Sequence, residues 1–169
     1  LYDYSITFDQ NQTTQQQEAF REAWGDDLAA CAFASSETVD TLTKKGVSST
    51  NVIATDDEAI TQLFGLTYEG ETVAWPTGND AVISEKLAKL CDVGIGDTIR
   101  VQRPDGMVVE IPVEGIFENY VNHYILLTAE GYETWIGDPV EYTTAFASAS
   151  GEDISAVGAR LASADHVVS

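Results

Sequence analysis

The side chains best suited to chemistry lie together in one short polar segment between two apolar stretches. The segment carries Glu118, Asn119, Tyr120, His123 and Tyr124. An imidazole here could act as a general base, with the Glu118 carboxylate orienting it. No nucleophile at a familiar spacing accompanies the pair, so we favour a structural role over a catalytic one. In that interpretation a strand over Val121–Leu127 packs these groups against a sheet, and their hydrogen bonds fix a strand crossing.

Other familiar sites are missing from the sequence. The two histidines, His123 and His166, lie far apart and lack the Cys/His spacing of a zinc site. The acidic pairs lack the frame of a calcium-binding loop. The glycines of Gly94–Asp97 precede a strand, whereas a dinucleotide site needs them to open a helix, so they indicate a turn. No phosphate-binding loop or nucleophile elbow occurs. We therefore predict no catalytic residue, no metal ion and no cofactor.

The charge of the chain restricts its partners. Only 8 Lys and Arg residues face 28 Asp and Glu residues, which gives a formal net charge of −20. No basic surface can neutralise phosphates, so nucleic-acid binding is excluded, and the same field opposes adhesion to anionic lipid. The carboxylates are dispersed along the chain, which favours a solvated acidic shell. A cationic ligand or partner is the alternative.

The two cysteines, Cys31 and Cys91, permit one disulfide at most. Each lies in an apolar context, where a free cysteine behaves as a small hydrophobic residue. The sequence does not reveal whether their Cα atoms come within bonding range. We favour two buried free thiols.

The most regular part of the chain is a block over residues 80–137. Val82 and Ile83 form a short strand, and Ser84 follows where an N-cap belongs, with its hydroxyl placed to accept from the next turn. Apolar spacing predicts a helix over Glu85–Cys91. A glycine-rich turn then leads to a strand at Ile99–Val101, and a tight turn returns the chain through Met107–Phe117.

The flanks show weaker but regular patterns. Asp56 or Asp57 is predicted to cap a short helix that holds Ile60, Leu63 and Phe64. The other predicted elements, in chain order, are a strand over Leu1–Phe8, a helix from Thr13 or Thr14 through Trp24, strands over Leu28–Thr43 and Val47–Thr55, a helix over Thr128–Ile136, a strand over Thr143–Ala147, a helix over Asp153–Leu161 and a strand over His166–Val168.

The order of the central block and the phrase after its hairpin resemble the extracytoplasmic domain of FtsX/MacB-type ABC transporter permeases, of the long type found in Gram-positive bacteria. Asp92 departs from the family pattern, which usually has glycine there, but aspartate also tolerates the left-handed backbone of that position. The matching residues are Gly96, Asp97, Gly115, Ile116, Glu118, Asn119, Tyr120, Val121, His123, Tyr124, Ile125 and Tyr132.

The resemblance implies an α+β fold in two parts. A porter-like βαβ-type subdomain is expected from residues 1–65 together with 139–169, with its helices on one face of a sheet and the terminal strands side by side. A β-rich subdomain with short helices is expected as an insertion over residues 66–138. The family-motif residues expected to be structural are Gly96, Asp97, Gly115, Glu118, Asn119, Tyr120, His123 and Tyr124.

The resemblance also implies a non-enzymatic role on the extracytoplasmic side of a bacterial membrane. The chain would then be a soluble domain excised from a permease, in which membrane helices lie beyond both of its ends. ATP would be hydrolysed by a separate cytoplasmic ATPase subunit. The domain would relay the resulting motion and contact an unknown substrate or partner protein outside the membrane.

Two other functions remain open on the sequence alone. A secreted hydrolase would use a cleft near Glu118 and His123. A stand-alone surface-binding module would stack sugars on aromatic rings such as those of Trp75, Tyr132 and Trp135.

Overall fold

A computed structural model describes residues 2–151 and 153–169 of the chain. Ten strands and five helices lie along these residues. In chain order they are β1 (Tyr4–Thr7), α1 (Thr14–Trp24), β2 (Leu28–Thr43), β3 (Gly46–Ala54), α2 (Ile60–Phe64), β4 (Thr67–Tyr68), β5 (Glu71–Thr72), β6 (Ala81–Ser84), α3 (Glu85–Cys91), β7 (Thr98–Gln102), β8 (Val108–Phe117), β9 (Tyr124–Leu127), α4 (Ala129–Ile136), β10 (Thr144–Ala149) and α5 (Ile154–Leu161). Both element types occur throughout, which confirms the α+β class. None of the described helices has the length and apolar character needed to cross a membrane.

The chain divides into two compact units, each assembled from separate segments. The first combines Leu1–Ser35, Asp56–Gly65 and Glu141–Ser169, and the second combines Ser36–Thr55 and Leu66–Val140. The sequence-based division placed residues 36–55 with the terminal segments instead. They lie in the second unit because β3 pairs in parallel with β9, and the later part of β2 pairs with β7.

The first unit contains a three-stranded antiparallel sheet in which β10 lies between β1 and β2. Phe33 and Ala145 are paired across β2 and β10, so they share one face of the sheet. The Phe20 ring of α1 packs on Phe33 at a centroid distance of 5.6 Å. Leu161 of α5 is buried in the same cluster. Helices α1 and α5 therefore cover this face.

The opposite face of that sheet is covered by α2. Phe146 pairs with Ala32 and lies on this second face, where its ring meets that of Phe64 at 5.0 Å. The expectation of helices on one face only is therefore wrong. The alternation of side chains along β10 explains the difference, because both faces of this strand are apolar and both need cover.

Near the C-terminus the expected strand over His166–Val168 is reduced to an isolated bridge. Val167 pairs with Phe8, and the Val168 N–H donates to the Thr7 carbonyl at 2.8 Å. His166 has φ +65°, a left-handed conformation that ends extended structure beside it. The last residues still lie next to the end of β1, but this bridge replaces the side-by-side terminal strands that were expected.

The second unit is built on a closed ring of six strands. The order is β2-β3-β9-β6-β8-β7, and the pairing of β7 with β2 closes it. Such closure leaves no free edge in the ring. The buried cluster of this unit contains Val39, Val52, Ala54, Ala81, Ile83, Leu87, Ala88, Ile99, Val101, Ile111, Val113, Ile125, Leu127, Tyr132 and Ile136.

Two polar side chains complete the buried part of the ring. Thr41 on β2 and Thr50 on β3 are both buried, and their hydroxyl oxygens are 2.8 Å apart. The Thr50 hydroxyl donates to the Ser48 carbonyl at 3.2 Å, so the Thr41 hydroxyl donates to Thr50 and both donors have a partner.

One end of α3 agrees with the sequence-based prediction and the other does not. Asp92 ends the helix with φ 56° and ψ 51°, which confirms the expected left-handed turn. Ser84 stands at the N-cap, but its side chain makes no capping hydrogen bond. Its hydroxyl instead accepts from the Tyr124 N–H at 3.0 Å, because the start of β9 lies beside it. The predicted local cap is therefore a long-range contact.

Candidate functional site

The polar segment singled out from the sequence forms a loop between β8 and β9. The strand expected over Val121–Leu127 begins only at Tyr124. Two local features hold the preceding residues out of extended structure. The Asn119 side-chain amide donates to the carbonyls of Val121 and Asn122, and Asn122 has φ +64°. The loop is therefore closed on itself by its own asparagine.

The base of this loop is tied to the small β4–β5 hairpin. The Glu118 N–H donates to the Thr67 carbonyl at 2.7 Å. The Glu118 carboxylate in turn accepts from the Glu69 N–H at 2.6 Å. Glu69 and Gly70 have φ +50° and +82°, so the amide that Glu118 caps belongs to a tight hairpin turn. Glu118 thus positions one loop against another.

The tip of the loop is apolar and open to solvent. Tyr120 is 84% exposed and Val121 is 66% exposed. A packing role was expected for the aromatic groups of this motif, and Tyr120 does not have one within its own unit.

His123 lies at the end of the loop and is partly buried. Its carbonyl accepts from the Asn51 N–H at 2.8 Å, which extends the β3–β9 pairing. Its Nδ1 is buried and has no hydrogen-bond partner among the described residues. Burial, and secondarily the Lys86 charge, lowers the pKa of the imidazole from its ordinary value. Both effects favour the neutral imidazole.

The structure does not assemble the catalytic pair considered from the sequence. Glu118 is engaged with Glu69, and within residues 2–151 and 153–169 no hydrogen bond or ion pair joins it to His123. A general base needs an orienting partner and a nearby nucleophile. In the described parts of the chain, no group of three or more His, Cys, Asp and Glu side chains could hold a metal ion.

The remaining motif residues lie where the backbone turns or packs closely. The Gly96 N–H, at φ +95°, donates to the Val113 carbonyl at 2.9 Å, and the Asp97 carboxylate accepts from the Gly94 N–H at 2.8 Å. A Cβ added to Gly115 would lie 3.2 Å from Val82. The structural role of these residues stays a prediction, and these contacts supply its physical basis.

Carboxylates surround the loop and its neighbouring hairpin. A hydrogen bond to Glu85 is the main cause that raises the pKa of Tyr68, and the charges of Glu69 and Glu118 add to it. Lys86 and Lys89 lie on the same side, but Lys89 is paired with Glu85 at 3.4 Å. The electrostatic field at this end of the second unit is therefore dominated by acids.

Each unit also has a shallow groove that sequence patterns did not indicate. In the first unit a groove of about 330 Å³ runs along α1, between Phe20 and Trp24 on one side and Ala164 to His166 on the other. His166 contacts Asp9 there at 3.2 Å. In the second unit a groove of about 380 Å³ lies between Thr38 to Asp40 and Gln102 to Gly106. Both are formed by residues distant in sequence, for which no local signal exists.

The aromatic residues considered for sugar stacking are not available as a platform. Trp75 and Tyr132 are 8% and 5% exposed. The Tyr132 hydroxyl donates to Glu37 at 2.6 Å, and the Trp135 indole N–H donates to the Asn79 carbonyl at 2.6 Å. Their rings belong to the packing of the second unit, which argues against the surface-binding alternative.

Both cysteines are free, as the sequence analysis favoured. Cys31 is buried in the first unit, and burial raises the pKa of its thiol to about 12. Cys91 is only half-buried, and its thiol faces the Leu42 carbonyl at 3.9 Å.

Comparison with known proteins finds likeness in structure and not in sequence. No family model matches the chain, and no curated protein matches it. The fold is similar to the extracellular domain of the noncanonic ABC-type transporter YknZ from Gram-positive bacteria, with a TM-score of 0.52 and 11% identity over 89% of this chain and 86% of that one. It is also similar to the periplasmic region of MacB from Actinobacillus actinomycetemcomitans, with a TM-score of 0.56 and 12% identity over 92% of this chain and 78% of that one.

The chain has the fold of these two domains. The resemblance drawn from the sequence is thus confirmed at the level of the fold. Because the sequence identity is so low, the similarity shows a shared fold alone and does not establish a shared function.

Proposed function

We propose that the chain is the extracytoplasmic domain of an ABC transporter permease of the FtsX/MacB type. The observation that carries this proposal is the fold, which follows two transporter domains over about nine-tenths of the chain. The sequence supports it independently, since the phrase around Glu118–Tyr124 resembles the motif of these permeases.

The β8–β9 loop supports a role without catalysis. The Glu118 carboxylate is engaged with Glu69 and not with His123, and Tyr120 is exposed to solvent instead of lining a cleft. In this proposal ATP is hydrolysed by a cytoplasmic ATPase subunit, and membrane helices of the same permease carry the motion outward. The domain relays that motion and contacts a substrate or partner outside the membrane.

These two roles, relaying motion and contacting a partner, can be assigned to the two structural units. We infer that the unit containing both chain ends is the porter-like part, which receives motion from the membrane helices. The ring of six strands is the inserted part, and it presents the Glu118–His123 loop.

Labelling of intact cells tests the location of the domain. Thr134 is an exposed residue of α4, and Thr134→Cys would be placed in the full-length parent protein with Cys31→Ala and Cys91→Ala. A membrane-impermeant maleimide should label this cysteine in intact cells. The parent gene should also encode an apolar span of about 20 residues beyond each end of the chain.

The matched control is the same protein without Thr134→Cys, which should stay unlabelled. Labelling that requires permeabilised cells would overturn the proposal. So would a parent gene without apolar spans.

A further inference from the structure

The exposed apolar pair at the tip of the β8–β9 loop has no role in the packing of its own unit. Tyr120 and Val121 are 84% and 66% exposed and adjacent in sequence. A tyrosine surrounded by smaller contacts is a common anchor at protein interfaces, because its ring buries a large area at little conformational cost.

The pair is held in place before any partner arrives. Asn119 closes the loop through the Val121 and Asn122 carbonyls, and Glu118 fixes its base to Glu69 of the hairpin. A loop already ordered by its own hydrogen bonds loses little entropy on binding. This arrangement distinguishes the tip from a side chain that is merely exposed.

The charges around the tip determine what can approach it. Glu69, Glu85 and Glu118 belong to the hairpin, the helix start and the loop base beside it. Lys89 is already paired with Glu85, and Lys86 acts on His123 as a single positive charge against these three carboxylates. The chain as a whole carries −20. A basic surface is attracted to this end of the unit, whereas an acidic protein or an anionic lipid headgroup is repelled.

We propose that Tyr120 and Val121 form the docking tip for a basic protein segment that carries apolar side chains. The apolar side chains cover the tip, and the basic ones face the surrounding carboxylates. This inference rests on the proposed function, since it names the chemistry of the partner that the permease domain meets outside the membrane.

Titration with peptides of defined composition tests the proposal on the full chain. The probes are a synthetic amphipathic peptide of leucine and lysine, its leucine and glutamate counterpart, and oligolysine. Amide shifts of ¹⁵N-labelled protein should change around residues 68–71 and 118–123 with the leucine–lysine peptide. Oligolysine should bind at least about tenfold more weakly, because it lacks the apolar contact. The leucine–glutamate peptide should not bind.

Variants separate a specific tip from diffuse charge attraction. Tyr120→Ser with Val121→Ser should weaken leucine–lysine binding about tenfold or more, as measured by calorimetry. Tyr120→Phe should keep the affinity of the native chain, because the aromatic ring that makes the apolar contact is retained. The matched control is Met107→Ser with Val108→Ser, two other exposed apolar residues of the same unit, 58% and 43% exposed. This control should bind as the native chain does.

Several results would overturn the inference. The first is leucine–lysine binding by the double tip variant as tight as by the native chain, and the second is oligolysine binding as tight as that of the leucine–lysine peptide. The others are amide shifts centred on the α1 groove around Phe20 and Trp24, or association of the protein with phosphatidylglycerol vesicles. None of these outcomes bears on where the domain lies in the cell, which the labelling experiment decides separately.

Discussion

The Ser84 hydroxyl accepts a hydrogen bond from the Tyr124 backbone N–H at 3.0 Å, and this bond joins the end of β6 to the start of β9. Ser84 is fully buried. Ser84→Ala leaves the amide without its acceptor and should lower the free energy of unfolding by about 1–2 kcal/mol. Urea denaturation measures this loss. Ser49→Ala, at an exposed position of β3, should leave the midpoint within error of the native value. An unchanged midpoint for Ser84→Ala would show that water replaces the hydroxyl.

Gly137, at the end of α4, lies under the guanidinium of Arg103. Gly137 has φ +97°, and a Cβ there would lie 2.9 Å from Arg103 Cζ and nearer still to Nη2. Gly137→Ala should therefore cost about 1–2 kcal/mol for the left-handed backbone, and about 1 kcal/mol more for the displaced arginine.

Gly106→Ala is the matched control for that change. Gly106 has φ +88° with nothing within 4 Å of an added Cβ, so it reports backbone strain alone. In a double-mutant cycle, Arg103→Ala should relieve part of the cost of Gly137→Ala. Strict additivity of the two substitutions would contradict the contact.

The buried Cys31 thiol predicts a loss of stability in alkali. Burial raises its pKa from 9.0 to about 12 in the folded chain. Above about pH 9 the unfolded chain releases this proton while the folded chain retains it, so the folded state is progressively disfavoured as pH rises toward 12. At about pH 10 the expected cost is about 1.4 kcal/mol.

Cys31→Ala should remove that part of the pH dependence. Tyr4, Tyr142 and Cys91 also have raised pKa values, and they contribute equally to both proteins. Denaturation at about pH 8 and about pH 10 gives the comparison. If the two proteins lost stability in parallel, the Cys31 thiol would have an ordinary pKa.

The net charge of −20 predicts stabilisation by simple salt. Like charges repel most in the compact state, and about 0.1 M salt shortens that repulsion to a Debye length of about 10 Å. Sodium chloride should therefore raise the melting temperature, by about 2–4 °C for each kcal/mol gained. Calcium at the same ionic strength should add nothing further. A large effect of calcium alone would indicate a specific metal site.

Elements with strong local signals were predicted closely from the sequence. Helix α1 runs from Thr14 to Trp24, and Thr13 caps it through a reciprocal bond with Gln16. Strands β2 and β3 begin and end within a residue or two of the expected bounds. Caps, glycine stops and apolar spacing are properties of neighbouring residues, and so they can be recognised without the fold.

Two of the failures depend on residues distant in sequence, and a third is local. The Ser84 hydroxyl could accept from an N–H of its own helix or from the Tyr124 N–H, and the local sequence does not distinguish the two. The pairing of β3 with β9 moves residues 36–55 into the second unit, although nothing in their sequence marks the partner. A strand was expected from Val121, so neither the loop before Tyr124 nor the exposure of Tyr120 was anticipated. Val121 and the apolar residues from Tyr124 onward favoured a strand, but Asn119 and Asn122 keep it from starting before Tyr124.

The position of β10 in the first sheet has a consequence for synthesis on the ribosome. The six strands of the ring all precede Thr128, so the second unit has its full set before the chain is finished. In the first unit, β1 and β2 are made early, but the strand that joins them spans Thr144–Ala149. The unit that holds the start of the chain is therefore the last to be completed. Until β10 arrives, its two early strands have unpaired edges, which are open to chaperones and to mispairing with other nascent chains.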